Sequence, residues 1–71
     1  MAESVYKVIE LVGTSEESWE KAAAAAIDRA SRTLRDIRVA RIVEQDIRIE
    51  PGKPHTYRVK IELSFKYEGG E

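Results

Sequence analysis

Glu44 and Asp46 are the residues whose type and spacing best suit them to chemistry. They lie two apart in a stretch that reads as a strand, so both carboxylates project to one face. Paired carboxylates are hard oxygen donors of the kind calcium takes, but calcium gathers roughly six to eight oxygens. Backbone carbonyls or the same residues from symmetry-related copies would have to complete the shell. The plainer reading is a pair of surface carboxylates neutralised by neighbouring arginines.

The remaining candidates point away from catalysis. His55 sits between Pro54 and Thr56 at the end of a turn. No serine or cysteine nucleophile stands in a recognisable motif around it, so a solvated turn histidine is expected. Gly13 belongs to no phosphate-binding pattern, since neither G-x-G-x-x-G nor G-x-x-x-x-G-K occurs. It reads as a tight corner between a strand and a helix. Thr14 and Ser15 are the expected N-caps, with Thr14 and Glu17 spaced as a capping box. Trp19 offers a stacking surface, but its register with Ala22, Ala23 and Ala26 assigns it to packing.

These residues must be positioned by few elements. A first strand is expected over Val5 to Val12, with apolar residues on both faces. A helix follows from about Glu16 to Leu34, with Trp19, Ala22, Ala23, Ala26, Ile27, Ala30 and Leu34 forming one stripe. Glu17 and Lys21, Asp28 and Arg32, and Arg32 and Asp36 are opposite-charge pairs four apart. A second strand runs from Ile37 to about Glu50, and Pro51-Gly52-Lys53-Pro54 is a strong turn signal. The third strand, Thr56 to Tyr67, alternates cleanly. Tyr57, Val59, Ile61, Leu63, Phe65 and Tyr67 take one face, and Arg58, Lys60, Glu62, Ser64 and Lys66 the other. The tail from Glu68 to Glu71 is expected to be loose.

The order is β-α-β-β, an α+β fold in which a central third strand makes every pairing antiparallel. One domain spans 1–71, with an ordered core of about 4–67. At 71 residues without cysteine, neither disulfides nor thiolate–zinc sites can support so small a core. Two open sheet edges favour burial between copies. The alternating charges Arg38, Arg41, Glu44, Asp46 and Arg48 suit ion pairs between subunits. Twelve Lys and Arg against 13 Asp and Glu give a net charge of −1, which offers no broad attraction to nucleic acid or anionic membrane. The N-terminus lacks signal-peptide features, so a cytoplasmic location is expected.

The segments VYKVIELVGTS, SWEKAAAAAIDRA, LRDIRVARIVEQD and TYRVKIELSFKYE, in this order, resemble the dodecin family over roughly Val5 to Tyr67. The resemblance implies a hollow homododecamer of a three-stranded antiparallel sheet partly wrapping one helix. It also implies a flavin pocket built on a tryptophan of the second strand and a glutamine of the third. Those positions fall on Val39 and Arg58, so the stacking surface is missing and flavin is not the expected ligand. DIRVARIVEQD, with SWE and SFK, is most similar to the calcium dodecins, which lack that tryptophan.

The reading is therefore a non-enzymatic homododecameric shell that sequesters a small ligand or ion, calcium foremost. Glu44 and Asp46, then Asp36, are the expected oxygen donors, though Asp36 could instead simply end the helix. The alternatives are a flavin-storing dodecin with an altered pocket and a structural assembly without ligand. The implied partner is the chain itself, with neither nucleic acid nor membrane.

Overall fold

A computed structural model describes residues 3–67, so the expectation for the tail from Glu68 lies outside the described residues. Strand β1 covers Tyr6–Ser15, helix α1 Trp19–Ser31, strand β2 Ile37–Arg48 and strand β3 Thr56–Lys66. The sheet order is β1-β3-β2 with both pairings antiparallel, the arrangement that follows when the third strand is central.

The helix lies mainly against β1 and β3 and touches β2 least. Ala22, Ala26 and Ala30 recur every four residues and meet Val59, Ile61 and Leu63 of the central strand. These six residues form the whole buried core among the described residues. Ile9, Leu11, Trp19, Ala23, Ile27, Leu34 and Ile37 pack around them, partly covered. Small side chains on the helix let its axis approach the sheet, where the larger aliphatics of β3 fill the remaining space.

The start of the helix corrects the sequence reading. Gly13, Thr14 and Ser15 do not form a corner; they extend β1, pairing with Val59, Arg58 and Tyr57. The cap is Ser18, whose backbone is extended and whose Oγ accepts from the Lys21 N–H at 3.0 Å. The Ser15 Oγ instead accepts from the Glu17 N–H at 3.0 Å and turns the chain towards that cap. No Thr14–Glu17 capping box forms, because a residue held in a strand ladder cannot cap a helix that begins at Trp19. Gly13 is needed for space rather than for a turn. A Cβ there would lie 2.1 Å from the Ala22 carbonyl oxygen and 3.1 Å from the Ala26 Cβ.

At its far end the helix stops at Ser31, short of Leu34, although the Leu34 N–H still reaches the Ala30 carbonyl at 2.9 Å. The pairs Glu17–Lys21 and Asp28–Arg32 form at 3.4 and 3.0 Å. Arg32–Asp36 is not among the described ion pairs, since Asp36 lies past the last turn with φ 61°. Between β2 and β3, Gly52 takes φ 75° and the Lys53 N–H donates to the Glu50 carbonyl at 3.1 Å, closing the expected turn.

The result is thin and long, 55 × 21 × 17 Å, with a radius of gyration of 14.8 Å. A compact chain of this length would have about 11 Å. The accessible surface of 5573 Å² likewise exceeds the about 4,500 Å² of a compact monomer of this mass. Val8, Val12, Val39 and Ile49 are among the large apolar residues more than half exposed.

Gly13→Ala should destabilise the fold by about 1–3 kcal/mol, because backbone rather than a pliable side chain meets the new methyl. Urea unfolding followed by far-UV circular dichroism measures this loss.

Candidate functional site

The sheet face away from the helix carries Glu44, Asp46 and Arg58. Its rows follow from the pairing: Val8, Ser64 and Val39; Glu10, Glu62 and Arg41; Val12, Lys60 and Glu44; Thr14, Arg58 and Asp46. Residues directly opposite in an antiparallel pair share a face, so each row is one strip across three strands.

Simple alternation along β2 does not produce this arrangement. Val39 and Arg41 differ in parity from Glu44 and Asp46, which would put them on opposite faces. The register slips between Ile42 and Glu44, where Val43 has no direct partner. That bulge reverses the alternation and brings all four residues to the outer face. A second slip, between Ile37 and Val39, sets the start of the strand.

Glu44 and Asp46 are thus brought together, as expected. Asp46 Oδ1 accepts from Arg58 Nε at 2.9 Å, and Glu44 stands opposite Lys60. A recess of about 160 Å³ is lined by these four residues and Val12. Neighbouring rows hold Arg41–Glu62 at 3.0 Å and Lys60–Glu10 at 3.8 Å. Arg41, Asp46 and Arg48 therefore find partners in their own chain, Arg48 with Glu50 at 3.1 Å, rather than being left for a neighbour.

Asp36 is not brought to the pair. Its carbonyl accepts from the Lys66 N–H at 3.3 Å, and Lys66 lies about 20 Å along β3 from the Glu44 row. Val39 and Arg58 also stand apart: they share the face, but Ser64 and Arg58 are separated by about the same length of strand. Neither set closes within one chain. Among the described residues no group of three or more His, Cys, Asp or Glu is placed to hold a metal ion. The donors at Glu44 and Asp46 fit a hard cation in chemistry but fall short of it in number, so a full shell needs further copies.

One residue of the site's support went unrecognised in the sequence. Trp19 packs edge-on against Tyr57 with ring centroids 5.2 Å apart, and its indole N–H donates to the Asp46 carbonyl at 3.1 Å. The helix therefore grips the backbone of β2 from beneath, where Asp46 presents its carboxylate above. An amphipathic aromatic at the first turn was the available signal, but its partner lies 27 residues away. His55 is exposed beside the turn, as expected.

This geometry defines a class: a small α+β protein whose single helix covers one face of a three-stranded antiparallel sheet and leaves the other face charged and open. The dodecin family model matches residues 5–68. A calcium dodecin of Mycobacterium tuberculosis (strain ATCC 25618 / H37Rv) is 56% identical over 63 residues, 89% of either chain. A dodecin of Thermus thermophilus is 42% identical over 64 residues, 90% of this chain and 93% of that one. Among solved structures, a dodecin from Streptomyces coelicolor superposes with a TM-score of 0.88 at 33% identity, covering 99% and 100% of the two chains. The calcium dodecin structure from M. tuberculosis superposes with a TM-score of 0.85 at 51% identity, covering 96% and 97%. It is described as a calcium-chelating immunodominant antigen with a novel calcium-binding site. The chain belongs to the dodecin family.

Trp19→Phe keeps most of the ring packing and removes the bond to the Asp46 carbonyl. It should cost about 1 kcal/mol, read as a lower denaturation midpoint with an unchanged slope.

Proposed function

We propose that this chain assembles into a hollow homododecamer that acts by binding rather than catalysis, sequestering a small ligand or ion, with calcium as the leading candidate. The observation that carries the reading is the pair Glu44 and Asp46, set side by side by their spacing along β2 and turned to the open face by the bulge at Val43. Likeness to the calcium dodecin of M. tuberculosis over 89% of the chain supports the choice of ion. Assembly is supported by a buried core of six residues set against ten large hydrophobic residues left exposed, among the described residues.

In this reading the carboxylates of symmetry-related copies complete the oxygen shell, at the 2.3–2.6 Å typical of calcium. Asp36 belongs to the proposal only as a donor reaching a different copy. Val39 offers no ring on which an isoalloxazine could stack, so flavin storage is the weaker use of the same shell. A cytoplasmic location belongs to the same proposal. No helix of the described residues is long and apolar enough to cross a membrane.

A cation that binds only the folded assembly raises its melting temperature by mass action. Millimolar calcium should therefore raise the melting temperature of the parent. Glu44→Gln with Asp46→Asn should abolish the rise, and magnesium should reproduce it poorly because it demands tighter octahedral geometry. An unchanged melting temperature with calcium, together with no heat in a calcium titration, rules out the ion and leaves a ligand-free or organic-ligand shell.

A further inference from the structure

One oxygen of the Asp46 carboxylate, Oδ1, is engaged by a cation belonging to the chain itself. Arg58 sits directly opposite on the central strand, and its Nε–H reaches Oδ1 at 2.9 Å. Strand pairing thus delivers a guanidinium to an oxygen that a metal ion would also claim. Both groups line the same recess as Glu44. The neighbouring carboxylates Glu62 and Glu10 carry their own cations, Arg41 and Lys60. Among the described residues Glu44 forms no ion pair at all, so Asp46 is the donor whose availability is contested.

We propose that Arg58 is a tethered competitor for the cation at Asp46, so that metal binding and the Arg58–Asp46 ion pair exclude each other and their exchange sets the affinity. This rests on the calcium reading above and adds the residue that regulates it. The two side chains are 44% and 57% exposed, and an ion pair so open to water is held weakly. A doubly charged ion can therefore displace the guanidinium, and Arg58 is free to swing into solvent once released. The ion pays for that displacement in affinity, by about two- to fivefold given the usual strength of an exposed pair. The exchange also explains a second feature of this face. A paired Asp46 keeps an empty site from accumulating negative charge where copies of the chain would bring several carboxylates together.

The test is calcium titration calorimetry on the assembled full-length protein and on three variants, Arg58→Gln, Arg41→Gln and Asp46→Asn. Arg41→Gln removes the same charge from the same face but frees Glu62 instead of Asp46, so it reports the general field alone. Exchange predicts calcium binding about two- to fivefold tighter in Arg58→Gln, little change in Arg41→Gln, and weaker binding in Asp46→Asn. Equal or weaker binding by Arg58→Gln overturns the proposal while the calcium reading stands. So does equal tightening by Arg41→Gln, which would reduce the effect to net charge. Binding by Arg58→Gln but not by the parent overturns the proposal, because an exposed ion pair worth about two- to fivefold cannot silence the site. Absence of binding in both removes the calcium reading and this proposal together.

Discussion

The structure depends on how closely the alanine face of α1 settles onto β3. Ala22, Ala26 and Ala30 bring the helix down until the Ala22 carbonyl lies where a Cβ of Gly13 would be, and Val59, Ile61 and Leu63 close the gap from below. That seating buries all six residues of the core and decides where β1 must lack a side chain. It also carries Trp19 to the point where its N–H meets the Asp46 carbonyl. The helix thereby connects the core to the strand that presents the candidate ion ligands.

So close a seating leaves the sheet only partly covered. One helix of 13 residues cannot shield strands of 10 to 12 residues along their whole length, and β2 receives the least protection. Val39, Ile42, Val43, Ile47 and Ile49 are exposed along or beyond it. A monomer would lose the hydrophobic stabilisation of that surface, at roughly 25 cal/mol per Å². Copies of the chain covering one another recover it, and the same packing would gather carboxylates from several copies. In the proposed shell, stability and ion binding would draw on one assembly.

Much of this was legible in the sequence. Twelve residues of unbroken alternation mark β3 as a half-buried strand, the alanine stripe identifies the buried helix face, and Pro51-Gly52 marks the hairpin. The pairing of Glu44 with Asp46 on one face follows from their spacing. The start of the helix is not legible, because Gly13 followed by Thr14 and Ser15 has the chemistry of a corner. Here the glycine answers to a helix packing across the strand, a demand invisible to local sequence. The bulge at Val43 left no turn-type signal, so the shared face of Val39, Arg41, Glu44 and Asp46 could not be read from alternation. The separation of Val39 from Arg58 and of Asp36 from Glu44 follows from register, which only the paired strands reveal.

Completion of this fold by copies of itself can be measured by sedimentation equilibrium across a dilution series. A dodecameric shell gives one species near twelve times the 8.1 kDa chain mass, with secondary structure lost as dilution drives dissociation. A stable, fully folded 8.1 kDa monomer at micromolar concentration would contradict it.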